Sequence, residues 1–181
     1  MKNREVLILG NGKSRLIEWS FITSWKGEIW ACNYAYTEIK YFPRLDRIAS
    51  AHDDILIQAA KFRDQNGYQF TTNKNYRLFS VRKIEGIESE LFKCTIGWST
   101  GSLSLYQALY EGYSKIVLSG FDMGGPDIYN PQNSGSNFRK QYNRILKEFN
   151  PEELYFLYRG KLIKAKSELP ETEEYHGEHY S

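Results

Sequence analysis

A chain of 181 residues with 41% apolar and 25% charged side chains has the composition of one soluble globular domain. A chain of this length can bury about 70% of its unfolded surface, which excludes a disordered, collagen-like or disulfide-stapled class. The net charge of +2 does not indicate nucleic-acid binding. Aromatic residues make up 15% of the chain, and such rings either fill a core or line a ligand site.

The cysteines and the N-terminus bear on the cellular compartment. Cys32 and Cys94 stand far apart without a CxxC pattern, so we expect two buried free thiols and no structural zinc. The apolar run near the N-terminus is about four residues long, which is too short for a signal or membrane segment. These observations predict a cytoplasmic protein without a membrane span.

The first half of the chain alternates predicted strands with predicted helices. Strand patterns lie at Glu5–Leu9, Glu28–Cys32, 46–51, 68–71 and 77–81. Between the first two strands, Leu16, Trp19 and Ile22 recur at helical spacing, and Ser14 is the candidate cap of that helix. A second helix is predicted over 55–63.

The second half repeats this alternation. Leu103, Tyr106 and Leu109 recur at helical spacing, and Gly112 is placed to end that helix. Further strands are predicted at Lys115–Ser119 and Leu154–Tyr158, with a helix over 138–149 between them and a polar tail at 168–181. The pattern predicts an α/β domain over residues 1–167 with a mostly parallel sheet.

Polar residues follow several of the predicted strands. Ligands of parallel sheets bind beyond the carboxyl ends of the strands, so side chains that follow them are candidate site residues. The residues in these positions are Asn11, Asn33, His52, Asp53, Asp54 and Asp122. Their common placement predicts one ligand site at one edge of the sheet.

The turn after the first strand, GNGKS, completes neither common phosphate-binding motif. A P-loop needs glycine where Leu7 stands, and a dinucleotide fingerprint needs glycine where Arg15 stands. The turn still predicts a place where a ligand can approach the backbone, with the alternative that its glycines serve only a tight turn. The candidate binding residues of this turn are Gly10, Asn11, Gly12 and Ser14.

The next two strand ends offer different chemistry. The amide of Asn33 can donate and accept, as a ribose or a base edge requires, although a plain turn asparagine is equally consistent. His52 and Asp53, with Asp54 beside them, could supply a general base or magnesium carboxylates. The alternative is that one aspartate caps the following helix.

The later candidates lie around the last buried strand. Hydroxyls and N–H groups at the start of a helix can bind an anion or a sugar. The alternative is that they form an ordinary helix cap. That start contains Ser99, Thr100, Gly101 and Ser102. Asp122 is a candidate functional carboxylate because it directly follows a buried strand. His176 and His179 are interpreted as part of a solvated tail.

The segment beyond Asp122 could fold over the site as a lid, or could be a solvated loop. Its candidate residues are Tyr129, Asn130, Gln132, Asn133, Arg139 and Tyr142. Its tyrosines or Arg139 could neutralise a leaving phosphate.

Two blocks of the sequence resemble a known family. GNGKS with the later CNYAY, and STGSLSLYQALYEGYSKIVLSGFDM, are similar to bacterial sialyltransferases of glycosyltransferase family 42. The second block also resembles motility-associated glycosyltransferases and hydroxymethylpterin pyrophosphokinase-like proteins. The blocks cover residues 5–36 and 97–123. The resemblance implies a Rossmann-like fold with helices on both faces of the sheet and a cytidine nucleotide donor, bound without a metal in the sialyltransferases.

The resemblance also implies roles for particular residues. Asn11 and Asn33 match the asparagines that hold the nucleotide, and Asp122 matches an aspartate after the corresponding strand. Tyr129 falls near a tyrosine that steadies the leaving phosphate. The donor-contacting segment of the family matches Thr100, Gly101 and Ser102.

The chain also departs from this family. Lys13 replaces a proline, and His52 with Asp53 stands where the sialyltransferases have an asparagine segment. No histidine occurs between Asp122 and Leu169, where the family's lid carries its catalytic base.

Three hypotheses remain open. The first is a sialyltransferase-like transferase that uses a CMP-sugar-type donor and a glycan or small-molecule acceptor, needs no cofactor, and passes the acceptor proton to His52 or Asp53. The second is a pyrophosphokinase-like phosphotransferase in which Asp53, Asp54 and Asp122 hold magnesium. The third is a non-catalytic nucleotide-binding module. None of them requires nucleic acid, and a homo-oligomer is compatible with each.

Overall fold

The computed structural model describes residues 4–66, 76–94, 98–123, 126–132 and 139–165. The strands are β1 (Glu5–Leu9), β2 (Glu28–Cys32), β3 (Arg47–Ala49), β4 (Arg77–Ser80), β5 (Glu90–Leu91), β6 (Lys115–Ser119), β7 (Leu154–Tyr158) and β8 (Lys161–Lys164). The α-helices are α1 (Trp19–Ser24), α2 (Asp53–Asn66), α3 (Thr100–Tyr110) and α4 (Arg139–Phe149). The described strands form one sheet in the order β5-β4-β3-β2-β1-β6-β7-β8, parallel except for β8.

The order of the strands reverses at β1. This strand pairs with β2 on one side and with β6 on the other, so the chain winds outward from the centre in both directions. Such a reversal separates the flanking loops and creates a ligand crevice at the carboxyl edge of the sheet. The loops that follow β3, β2, β1 and β6 therefore lie side by side at this edge.

Both faces of the sheet are covered. Leu7 and Leu9 of β1 pack in a core cluster with residues of α1 and α2, whereas Val6 and Ile8 pack with α3 and α4. This alternation follows from the two-residue period of a strand and confirms the predicted Rossmann-like α/β fold. Many of the abundant rings fill the interior, and the largest fully buried rings belong to Trp30, Tyr76, Tyr142 and Phe79.

The prediction of a single helix after β1 is wrong. The chain instead forms a short 3-10 helix, Lys13–Ile17, followed by α1. Ser14 lies inside the 3-10 helix rather than capping it. The tighter turn buries Ser14 and Arg15 and leaves Leu16 and Ile17 exposed, which breaks the apolar stripe that the spacing suggested.

Other element boundaries shift by a few residues. The strand predicted at 46–51 is limited to β3, and Asp46 instead accepts a hydrogen bond from the Ile29 amide. The helix predicted at 55–63 extends over the whole of α2. The 3-10 helix Asn33–Tyr41 and the strands β5 and β8 were not expected. The strand predicted at 68–71 and the tail at 168–181 lie outside the described residues.

Two further expectations concern the cysteines and the membrane. Cys32 and Cys94 are both buried and free, as predicted. Within the described ranges, no helix combines the length and the apolar character that a membrane crossing requires.

Candidate functional site

The loops after β1 and β6 pack backbone against backbone at the switch point. The Gly10 amide donates to the Ser119 carbonyl and the Gly12 amide to the Gly120 carbonyl, both at 2.8 Å. A Cβ on Gly10 would lie 2.4 Å from the Gly120 carbonyl oxygen. Glycine is therefore required here by the approach of two loops, which favours the tight-turn interpretation of these glycines.

Asp122 joins the same two loops. Its Oδ2 atom accepts a hydrogen bond from the Ser14 amide at 3.0 Å, and a Cβ on Gly12 would lie 2.3 Å from that oxygen. Burial raises the pKa of the Asp122 carboxyl, and the hydrogen bonds from Ser14 partly oppose this rise. The carboxylate thus holds the 3-10 helix after β1 against the loop after β6.

Asn33 lies at the centre of a polar network at the carboxyl ends of β2 and β3. Its backbone adopts φ of 52°, a left-handed conformation that asparagine tolerates better than most residues. Its Oδ1 atom accepts hydrogen bonds from the Ser50 hydroxyl at 2.9 Å and from the Thr100 hydroxyl at 3.2 Å. The network therefore joins the loops after β2 and β3 to the first residue of α3.

Backbone amides also donate to the two hydroxyls of this network. The Ala51 amide donates to the Thr100 hydroxyl at 3.1 Å, and the His52 amide donates to the Ser50 hydroxyl at 3.0 Å. In the structure each hydroxyl accepts one backbone N–H and donates its own proton to Asn33 Oδ1. The Asn33 Oδ1 atom is thus occupied by two hydroxyls, and the NH2 group is the part of the amide that this network does not use.

The other residues at the start of α3 have structural partners. The Ser99 hydroxyl caps the helix by accepting the Ser102 amide at 3.2 Å, and the Ser99 amide donates to Gln141 of α4 at 3.1 Å. A Cβ on Gly101 would lie 2.6 Å from the Phe121 ring. Thr100 is the member of this group that reaches the Asn33 network.

Tyr129 belongs to a segment that is docked at this edge of the sheet. The Ile128 amide donates to the Asn11 carbonyl at 2.8 Å. The Tyr129 hydroxyl donates to Glu38 and accepts from Arg15, the latter at 2.9 Å. Burial raises the pKa of the Tyr129 hydroxyl. Because its proton is engaged by Glu38, this hydroxyl must leave Glu38 before it can donate to a phosphate.

The remaining lid candidates fall in different environments. Arg139 and Tyr142 lie on α4 and are buried, and burial raises the pKa of the Tyr142 hydroxyl. The Tyr142 ring meets the Phe121 ring edge to face, with centroids 5.9 Å apart. Asn130 and Gln132 are exposed, and Asn133 lies outside the described residues.

His52, Asp53 and Asp54 begin α2 at the end of β3. The His52 side chain is exposed, whereas Asp53 is paired with Arg82 at 2.7 Å. Across the described ranges, no three His, Cys, Asp or Glu side chains form a group that could hold a metal ion. Asp53, Asp54 and Asp122 thus do not assemble the carboxylate cluster that the magnesium hypothesis requires.

Sequence reasoning missed three residues of this edge. The Ser50 hydroxyl donates to Asn33 Oδ1. Arg15 and Glu38 form an ion pair at 3.2 Å, and both hydrogen-bond to the Tyr129 hydroxyl. No local pattern distinguished these three residues, because their partners come from distant parts of the chain.

Comparison with known proteins finds solved structures with a similar fold. No family model matches the chain, and no curated protein matches it. One similar solved structure is the sialyltransferase CstII from Campylobacter jejuni in complex with a substrate analogue, cytidine-5'-monophosphate (CMP). The match covers 86% of this chain and 80% of the CstII chain, with 18% identity and a TM-score of 0.56. CST-II in complex with a trisaccharide acceptor and CMP gives a TM-score of 0.60 at 18% identity over 86% of this chain and 81% of its own.

A third solved structure agrees. The monofunctional α-2,3-sialyltransferase Cst-I from Campylobacter jejuni covers 87% of this chain and 77% of its own, with 16% identity and a TM-score of 0.62. The chain therefore has the fold of these bacterial sialyltransferases. The match extends well beyond the two sequence blocks and confirms the predicted resemblance at the level of the fold.

Proposed function

We propose that this chain is a nucleotide-binding transferase of the sialyltransferase type, with a CMP-sugar-type donor and a glycan or small-molecule acceptor. The observation that carries the proposal is the Asn33 amide, whose Oδ1 atom accepts the Ser50 and Thr100 hydroxyls and whose NH2 group is a donor that this network does not use. A cytosine base and a phosphate both present acceptor oxygens to such a donor. The binding of CMP by two structures of the same fold supports this choice of nucleotide.

The proposed reaction transfers the sugar from the nucleotide phosphate to an acceptor hydroxyl. The bond between the sugar and the phosphate oxygen breaks, CMP leaves with the electron pair, and the acceptor oxygen bonds to the sugar carbon. The acceptor proton passes to His52. Its imidazole is exposed and its backbone is bonded through Ser50 to the Asn33 network, whereas Asp53 is engaged by Arg82.

The test is a donor-hydrolysis and transfer assay with CMP-N-acetylneuraminate, run with and without EDTA. We expect turnover that EDTA does not abolish, and a loss of about 100-fold in turnover for His52→Gln with unchanged CMP affinity, because a general base contributes about that much. Asp53→Asn separates the two candidate bases, and retained turnover in this variant assigns the proton to His52. Full turnover in His52→Gln would contradict the assignment.

A second function, a nucleotide-binding module without catalysis, is favoured by one observation. No histidine occurs between Asp122 and Leu169, the region in which the resembled family carries its base. Tight CMP binding with no hydrolysis or transfer in the same assay would identify this function. Absence of binding to any cytidine nucleotide would overturn both proposals.

A further inference from the structure

Arg15 is a buried arginine that the protein satisfies only in part. Its side chain has no exposed surface. Its Nη2 atom donates to Glu38 at 3.2 Å and to the Tyr129 hydroxyl at 2.9 Å. Its Nε and Nη1 atoms have no hydrogen-bond partner among the described residues. Most of the N–H groups of this cation are therefore left over, although a buried donor normally has a partner.

Arg47, a buried arginine at the opposite edge of the sheet, uses both of its terminal nitrogens, and only its Nε atom lacks a hydrogen bond among the described residues. Its Nη1 and Nη2 atoms donate to the two carboxylate oxygens of Glu111 at 2.6 and 2.7 Å. Its guanidinium carbon also lies 3.9 Å from the centroid of the Trp30 ring. Arg15 has only a single contact with its carboxylate, so it retains the capacity for a second oxyanion.

The position of Arg15 places this capacity at the switch point. A Cβ on Gly120, after β6, would lie 3.1 Å from the Arg15 Cβ atom. On the other side, the Arg15 Nη2 atom contacts Glu38, in the 3-10 helix that follows β2, at 3.2 Å. The side chain therefore extends across the end of β1, between β2 and β6.

We propose that Arg15 binds an oxyanion of the ligand, a phosphate or a carboxylate, through its Nε and Nη1 groups. The nucleotide phosphate as the source of this oxyanion rests on the function proposed above, whereas the oxyanion site itself does not. Glu38 remains on Nη2 and holds the planar guanidinium in place. Because Tyr129 covers the guanidinium, the anion reaches it when this side chain moves aside, which also frees the Tyr129 hydroxyl to donate to the anion.

The direct test observes Arg15 in the unmodified protein. In a sample labelled with 15N-arginine, the Nε–H resonance of Arg15 is identified by its loss in Arg15→Lys, and inorganic phosphate, acetate, cytidine and CMP are added separately. We expect phosphate and CMP to shift this resonance and cytidine to leave it in place. A shift with acetate alone assigns the site to a carboxylate. A resonance that none of the three anions moves overturns the proposal.

The same titration separates this inference from the proposed function. If inorganic phosphate shifts the Arg15 resonance but CMP does not bind, the nucleotide function fails and the oxyanion site stands. If CMP binds and neither CMP, phosphate nor acetate moves the Arg15 resonance, the oxyanion site fails and the nucleotide function stands.

Calorimetry with a charge-removing variant gives an independent readout. We expect the wild-type protein to prefer CMP over cytidine by about tenfold or more, and Arg15→Met to reduce that preference to about twofold or less. Arg77→Met is the matched control, because Arg77 is half-exposed and pairs with Glu90 at the far end of the sheet. An unchanged preference in a folded Arg15→Met protein would contradict the assignment. If that variant does not fold, the resonance of the wild-type protein decides.

Discussion

Asn33→Asp is expected to weaken CMP binding about 100-fold, which corresponds to about 2.7 kcal/mol. The substitution keeps an oxygen that can accept the Ser50 and Thr100 hydroxyls, so the network and the fold survive. It replaces the NH2 group with a negatively charged acceptor at the position where the ligand needs a donor. An unpaired acceptor facing another acceptor costs more than the loss of one hydrogen bond.

The control for this prediction repeats the same change elsewhere. Asn150 follows α4, is exposed and also has a positive φ, at 43°, so Asn150→Asp introduces the same carboxylate in the same backbone conformation. We expect its CMP affinity, measured by calorimetry, to equal that of the wild-type protein. Wild-type affinity in Asn33→Asp would exclude Asn33 from the nucleotide site.

Gly10→Ala is expected to lower the free energy of unfolding by about 3 kcal/mol, the upper part of the range for overpacking. The new Cβ would lie 2.4 Å from the Gly120 carbonyl oxygen, a backbone atom that cannot rotate away as a side chain can. The neighbouring hydrogen bond from Gly10 to Ser119, at 2.8 Å, holds the two loops at this separation. The steric clash can therefore be removed only if the loops after β1 and β6 move apart.

Gly86→Ala is the comparison for this effect. Gly86 has a φ of 72° with nothing within 4 Å of an added Cβ, so alanine there meets only backbone strain, about 1 kcal/mol. Urea unfolding of the two variants measures both losses. A loss in Gly10→Ala no larger than in Gly86→Ala would show that the loops yield easily and that the switch point is not rigid.

The buried strands are the part of the fold that the sequence predicts best. EVLIL and KIVLS contain short apolar runs that are rich in β-branched residues and are followed by glycine, a combination that favours a strand covered on both faces. The region after β1 fails for a physical reason. Leu16 and Ile17 are apolar yet exposed, while Arg15 is charged yet buried, so tertiary contacts override the local pattern.

The edge at which the candidate site lies could be predicted, but its internal organisation could not. Placing Asn33 and Asp122 at the carboxyl edge needed only the strand assignments. The partners that orient Asn33 lie 17 and 67 residues away, and Arg15 lies 114 residues from Tyr129. Pairings of this range depend on the three-dimensional arrangement of the loops, which no local spacing encodes.

In the proposed function, the donor group of Asn33 contacts a cytidine nucleotide at the switch point. A titration of 15N-labelled wild-type protein with CMP, followed through the side-chain NH2 resonances of Asn33, tests this contact most directly. We predict that these resonances shift and saturate together with the backbone resonance of Thr100. Saturable CMP binding that leaves both resonances in place, or no binding of CMP, would contradict the claim.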